Sequence, residues 1–353
     1  MKKKILIVDD SALMRRIECD IINSDDNFEV SDICRDGQAA LEKLRTEKYD
    51  CVILDVNMPK MDGLQLLEQL HKEKIAVTVI MVSTLTKGGA DVTMRCMDMG
   101  AAEFVTKPEN IIEAKGAEFK NRLLCTINSV LKTGNTRKMF VEAENKPDVH
   151  KVEPVKVHPG RSKLVALACS TGGPKALQSV IPYLPKNMDA PMVLVQHMPA
   201  SFTKTMANRL NDLSELSVKE AEEGDILMKG WVYVAPGGKH LHVEKDPRGG
   251  HRIHLGDEPA IGGLKPCADI MYHSLERSGF DEITCVVLTG MGSDGTKGIN
   301  GLKSHKRLYT IAQDKDTCVV YGMPKAVAES GVVDEVVPLD DIANTIIKNV
   351  GVR

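Results

Sequence analysis

Residues 4–23 read KILIVDDSALMRRIECDIIN, and this stretch decides the fold class. Residues 4–8 are a short apolar run of buried-strand length, and it ends in Asp9 and Asp10. From 12 to 23 the apolar positions recur at helical spacing. The same alternation continues downstream. Strands are expected at 30–34, 51–54, 78–82 and 103–106, and helices at 38–47, 63–72, 90–99 and 118–131. Strict alternation of this kind implies parallel βαβ units.

Residues 133–160 break the pattern. They are charged, contain proline and lack apolar periodicity, so a linker is expected, with a short helix around 138–144. A second α/β pattern begins at residue 163, with strands expected at 164–168, 192–196, 231–235, 283–289 and 308–312. Helices are expected at 175–181 (stopping before Pro182), 201–212, 267–278, 298–306 and 324–330. Residues 239–244 and 252–255 read as a local antiparallel insert. The expected organisation is one domain over 1–132, a linker over 133–160 and a second domain over 161–353. Both are doubly wound parallel-sheet α/β domains, the second Rossmann-like.

Composition excludes several classes. With 46 Lys and Arg against 49 Asp and Glu, the net charge of −3 provides no basic field for nucleic acid. No helix-turn-helix with a basic recognition face follows the linker. No apolar run approaches the ~18–20 residues of a membrane span, so no membrane insertion is expected. The start MKKKILIVDD is a poor signal peptide, because two aspartates interrupt it, and the cytoplasm is the expected location. Nine cysteines are scattered singly without a CxxC pair, which fits neither a disulfide framework nor a zinc knuckle.

In the first domain, Asp9 and Asp10 follow the first strand and Asp55 follows the third, in LDVNMPKMDG. Ligands of α/β sheets gather at the carboxyl ends of strands, so these carboxylates should converge. Converging carboxylates repel, and a hard divalent cation such as Mg²⁺ is their natural counter-charge. Ser83, in IMVST, and Lys107, in FVTKP, finish two later strands and suit phosphoryl oxygens. A carboxylate beside them can act as a nucleophile towards phosphorus. Any one of these residues alone would pass for a solvated strand end; five at successive strand ends would not.

The second domain opens with LVALACSTGGPKAL. Ser170 follows an apolar strand, Gly172 and Gly173 permit a tight turn, and Pro174 suits the first position of a helix. Such a turn lifts a hydroxyl above the sheet and offers backbone N–H groups to an oxyanion. Ala168 stands where G-x-S-x-G has its first glycine. His197 ends the next strand, in VLVQHMPASFT, and Asp294 lies in a glycine-rich turn after ITCVVLTGMGSDG. Singly, each is more often an N-cap, a structural histidine or a turn-former. Together they are the parts of a hydrolytic triad, in the order Ser, His, Asp rather than the Ser, Asp, His of α/β-hydrolases. Cys169 is a rival nucleophile, but it should project away from Ser170 and serve packing. The run Gly290 to Gly295 also matches G-x-G-x-x-G, with Asp314 near a ribose-binding offset. It sits late in its domain, and Asp294 would repel a pyrophosphate there.

The motifs VDD, LDVNMP-x-MDG, VST and TKP resemble response-regulator receiver domains over residues 3–130. This implies a flavodoxin-like sheet, Asp55 as phosphoacceptor, and Mg²⁺ held by Asp9, Asp10 and Asp55 with the backbone carbonyl of Asn57. Ser83 and Lys107 would sense the phosphoryl group, with Phe104 at the aromatic switch position. The motifs CSTGGP, QHMPASFT, LTGMGSDG and DTCVVYGMP resemble chemotaxis protein-glutamate methylesterases over residues 161–349. This second resemblance implies Ser170 as nucleophile, His197 as general base and Asp294 as its orienting acid, with Thr171 and Met291 lining the site. It further implies chemoreceptor cytoplasmic domains as substrates, a chemotaxis histidine kinase as phosphodonor, deamidation of receptor glutamines, and no metal in the esterase reaction. The receiver is expected to cover the active site until Asp55 is phosphorylated. The family usually has a Gly-Ala pair before the serine, so Ala168 is a departure that puts the turn geometry in question. The alternative is a response regulator whose second domain only binds a partner.

Overall fold

The computed structural model describes residues 2–84, 86–108, 110–132 and 161–353; the expected linker over 133–160, with its helix around 138–144, lies outside the described residues. The chain divides into two compact units, Met1–Asn145 and Lys146–Arg353.

The first unit alternates strands and helices: β1 (Lys3–Val8), α1 (Ala12–Asn23), β2 (Phe28–Cys34), α2 (Gly37–Thr46), β3 (Cys51–Asp55), α3 (Gly63–Lys72), β4 (Thr78–Ser83), α4 (Lys87–Asp98) and β5 (Glu103–Thr106). A short α5 (Ile111–Ala114) and the closing α6 (Ala117–Lys132) follow. The sheet is parallel in the order β2-β1-β3-β4-β5, the flavodoxin-like order. Every residue of β3 and β4 is buried, as expected for parallel strands covered on both faces. The helices start on side-chain caps: Ser11 accepts from Met14 N–H, Asp36 from Ala39 N–H, and Asp62 forms a capping box with Gln65.

The second unit contains β6 (Lys163–Cys169), α7 (Gly173–Gln178), β7 (Met192–Gln196), α8 (Ala200–Leu213), β8 (Ser217–Glu220), β9 (Trp231–Val234), β10 (His240–Lys245) and β11 (His251–Gly256). It continues with α9 (Ala268–Ser274), β12 (Glu282–Val287), α10 (Thr296–Lys303), β13 (Arg307–Gln313), α11 (Met323–Glu329), β14 (Glu335–Val337) and α12 (Leu339–Val350). Seven parallel strands run in the order β14-β13-β12-β6-β7-β9-β8, and β10 and β11 make a separate antiparallel ribbon. The helix expected over 175–181 ends at Gln178, and Ile181–Tyr183 is a separate 3-10 turn that includes Pro182. Proline is tolerated in a first helical turn, where its missing N–H leaves nothing unpaired. Edge strands β8 and β14, and helix α12, are additions to the elements expected above.

β6 is the first strand of its sheet and lies at its middle. From it the chain passes to β7, out to the edge at β8 and back in to β9 on one side, then crosses to β12 and moves outward through β13 and β14 on the other. That reversal beside β6 is the topological switch point, where α/β sheets open a crevice at their carboxyl ends. Buried Tyr272 ties its two walls together: its hydroxyl donates to the carbonyls of Ala166 on β6 and Val286 on β12, at 3.1 and 3.2 Å.

Candidate functional site

Two clusters stand at strand carboxyl ends, one in each unit. In the first, β1 delivers Asp9 and Asp10 and the neighbouring β3 delivers Asp55. Carboxylate oxygens of all three lie within 4.8 Å of one another. Lys107, just after β5, reaches Asp9 Oδ2 at 2.6 Å and Asp55 Oδ2 at 2.8 Å. Burial pushes the Asp55 carboxyl up to about 6, with Asp9 adding to the rise and Lys107 opposing it. Burial works against the Lys107 ammonium, yet the charges of Asp55 and Asp9 outweigh it and raise its pKa. The three carboxylates outnumber the cations beside them, Lys107 and the Arg15 guanidinium that donates to the carbonyls of Asp9 and Asp10, so a divalent cation fits this donor set.

The other expected residues of this unit lie on or just after β3, β4 and β5. Ser83 is fully buried at the end of β4, its hydroxyl donating to Gly89 O at 3.3 Å, while Lys107 N–H donates to Ser83 O. Asn57 is exposed in the loop after β3. Phe104, on β5, packs against the core while half-buried. Glu18 on α1 was not anticipated. It is fully buried, neither oxygen has a hydrogen-bond partner among the described residues, and burial raises its pKa well above the usual value, assisted by Asp9. The helical pattern around it marks a core position, which is the signal that should have singled it out.

In the second unit, adjacent β6 and β7 carry Ser170 and His197 directly beyond their ends, and Asp294 lies in the loop that leads from neighbouring β12 to α10. Ser170 N–H donates to Thr289 O at 3.0 Å, and His197 N–H to Cys169 O at 3.4 Å, so the strand ends stay knit past the sheet. The turn after Ser170 needs glycine at two places. Gly172 has φ +79°, and a Cβ on Gly173 would lie 1.9 Å from Gln196 Oε1. Ala168 remains inside β6, paired with Val195 and Val287. The left-handed residue is Gly172, so Ala168 is not asked for a strained conformation. Gln196 Nε2 donates to Ser170 O at 3.1 Å, and Thr289 Oγ1 donates to Thr171 O at 2.9 Å. Cys169 is fully buried, its thiol near Val195 O and its pKa raised by burial.

His197 Nε2 lies 2.8 Å from Asp294 Oδ2. Asp294 also accepts from Ala268 N–H (2.6 Å), Asp269 N–H (2.9 Å), Gly295 N–H (2.9 Å) and the Cys267 thiol (3.1 Å). Burial would raise this carboxyl, but His197 and the N–H groups of Ala268 and Asp269 outweigh it and hold it at about 2. Among the described residues no hydrogen bond joins Ser170 Oγ to His197. With Nε2 turned to Asp294, Nδ1 is the nitrogen left for the serine. Resting-state catalytic hydrogen bonds are often long and close only with substrate. Thr171 is half-buried beside Ser170, and Met291 is 52% exposed in the loop before Asp294. The Asp294 donors were missed because nothing in the spacing links Cys267–Asp269 to a turn 25 to 27 residues later. The G-x-G-x-x-G run is no phosphate cradle: the Gly295 N–H is spent on Asp294, and Asp314 accepts from Thr317 N–H in its own turn.

Residues 165–346 match the CheB methylesterase family, and residues 5–116 the response regulator receiver domain family. The protein-glutamate methylesterase/protein-glutamine glutaminase 1 of Syntrophomonas wolfei is 41% identical over 351 residues, 98% of this chain and 99% of that protein. The protein-glutamate methylesterase/protein-glutamine glutaminase of Bacillus subtilis is 39% identical over 349 residues, 97% of each chain. The crystal structure of the Thermotoga maritima CheB methylesterase catalytic domain is 43% identical with a TM-score of 0.52; the match covers 54% of this chain and all of that one.

Proposed function

The chain belongs to the CheB methylesterase family and is a receiver-linked protein-glutamate methylesterase; on that premise we propose that Ser170, His197 and Asp294 carry the chemistry and that phosphorylation of Asp55 sets its rate. The observation that carries this reading is the 2.8 Å pairing of His197 Nε2 with Asp294 Oδ2 beside the serine turn. The partner-binding alternative is disfavoured by relatives of full length that are named for the enzyme activity.

Ser170 Oγ attacks the γ-carbonyl carbon of a receptor glutamyl methyl ester. Its proton passes to His197 Nδ1, and Asp294 stabilises the resulting imidazolium. Backbone N–H groups of the turn after Ser170 hold the oxyanion. The C–OCH₃ bond breaks, His197 returns the proton, and methanol leaves. Water, deprotonated by His197, then cleaves the acyl-serine to free glutamate and Ser170. The same steps with ammonia as leaving group deamidate a glutamine. Thr171 and Met291 line the approach.

In the receiver, Asp9, Asp10 and Asp55 would hold Mg²⁺ with the Asn57 carbonyl, and the ion would supply positive charge towards a phosphoryl group. Asp55 accepts that group from a chemotaxis histidine kinase, Ser83 and Lys107 meet its oxygens, and Phe104 repacks in response. The substrates are cytoplasmic domains of chemoreceptors, and the enzyme works in the cytoplasm. No helix among the described residues is long and apolar enough to cross a membrane.

The test is methanol release from methylated receptor membranes by the resting chain, the chain with a small phosphodonor and Mg²⁺, and a fragment of residues 161–353. Release by all three, slowest from the resting chain, is expected. No release by any would leave a partner-binding module. A fragment slower than the resting chain would rule out simple inhibition by the receiver.

A further inference from the structure

The Asp294 carboxylate is held unusually fully. Oδ2 receives His197 Nε2 and Ala268 N–H, while Oδ1 receives Asp269 N–H, Gly295 N–H and the thiol of Cys267. Cys267 is the N-cap residue of α9; its carbonyl accepts from Met271 N–H at 3.3 Å, but its side chain makes no capping hydrogen bond. Asp294 instead takes the first two N–H groups of that helix, which frees the capping side chain to turn towards the carboxylate. Cys267 is 1% exposed, and no solvent competes for its proton. Burial and then the nearby Asp294 charge push the thiol up to about 12, so it stays protonated and keeps an S–H to donate.

We propose that Cys267 is a positioning residue for ester hydrolysis: its thiol donates to Asp294 Oδ1 and fixes the rotation of the carboxylate, so that Oδ2 meets His197 Nε2. The proposal rests on the reading of Asp294 as the orienting acid. The backbone donors come from one side chain-independent frame, the α9 turn and the Gly295 turn. Among the described residues the thiol is the only side-chain donor on Oδ1. Without it the carboxylate gains rotational freedom, and its charge falls more fully on the imidazole. The first effect lowers kcat. The second stabilises the imidazolium, so the deprotonated base appears at higher pH.

The experiment uses the full chain, activated with phosphodonor and Mg²⁺ on methylated receptor, and compares Cys267→Ser, Cys267→Ala and Cys267→Val. Cys267→Ser keeps a donor and should hold kcat and the acid limb of the pH profile close to those of the parent. Cys267→Ala removes volume and Cys267→Val adds it, but both lose the donor. Each should lose about three- to tenfold in kcat at unchanged KM, a weak charge-assisted bond's worth, with the acid limb moved to higher pH. In an Asp294→Asn background, neither should cost anything further, because the thiol acts through that carboxylate. Thermal melts establish that the variants fold. Even if Ala or Val does not fold, a Ser variant with a displaced limb or a tenfold loss overturns the proposal. Parental kcat and pH profile in Cys267→Val, or an undiminished loss in the Asp294→Asn background, reduces Cys267 to packing. If Asp294→Asn itself keeps full activity, the triad reading fails; if it loses activity while Ala and Val do not, only the role of Cys267 fails.

Discussion

His197 presents Nε2, not Nδ1, to Asp294, at 2.8 Å from Oδ2. With that carboxyl held at about 2 it is ionised throughout the working range, so Nε2 keeps the proton and Nδ1 is the basic nitrogen. Asp294→Asn would still fill the space, but its amide group can stabilise the wrong tautomer. A kcat loss of about 10³- to 10⁴-fold is expected, by analogy with removal of the orienting carboxylate in other triads. The depressed pKa also has a stability consequence. The unfolded carboxyl binds its proton first as pH falls, so Asp294 contributes stability above about pH 4 that is lost towards pH 2. Acid denaturation of the fragment of residues 161–353 should therefore be less steep over that window in Asp294→Asn. Equal slopes in the two proteins would count against the pairing.

Asp9 and Asp55 share the Lys107 ammonium and Asp10 stands beside them, and a further cation is needed before a phosphoryl anion can join these carboxylates. EDTA should block phosphorylation of the full chain by a small phosphodonor, and Asp55→Asn should abolish it with Mg²⁺ present. Hydrolysis by the fragment of residues 161–353 should be unchanged by EDTA. Phosphate incorporation and methanol release, measured in parallel, decide the point; a chelator-sensitive fragment would contradict the assignment.

Glu18 is fully buried, and neither oxygen has a hydrogen-bond partner among the described residues. Glu18→Leu should stabilise the receiver by about 1–3 kcal/mol near neutral pH, the cost of an unsatisfied buried polar group. The sign of the pH dependence follows from the raised pKa. The native state retains a proton that the unfolded state has released, so stability falls as pH rises above the unfolded value of about 4.5. Denaturant unfolding of residues 1–132 at several pH values should show a gain for Glu18→Leu that grows from pH 4 to 7. A destabilised variant at pH 7 would mean that Glu18 has a partner in solution.

The strand ends were readable because buried parallel strands are continuous apolar runs, so the residue that ends each run is marked by its polarity. Asp9, Asp55, Ser83, Lys107, Ser170 and His197 all announce themselves this way. β8, Ser217–Glu220, is a polar edge strand with one buried residue, and β14 has three residues; neither has an apolar run to read. α12 was readable and missed: Ile342, Ala343, Ile346, Ile347 and Val350 recur at helical spacing and are buried. Asp294 was found from its turn, but its donors were not. Cys267, Ala268 and Asp269 reach it through the fold, and their contribution is largely backbone N–H, which no side-chain pattern records.

The account stands most directly on the nucleophile. Initial rates of methanol release should be measured for the activated full chain carrying Ser170→Ala and, in parallel, Cys169→Ala, the neighbouring thiol that is fully buried in the core. Because triad members act as a unit, Ser170→Ala should lose about 10³-fold or more in kcat, while Cys169→Ala keeps most of the activity. Near-normal release by Ser170→Ala, or its loss in a folded Cys169→Ala protein, would contradict the assignment.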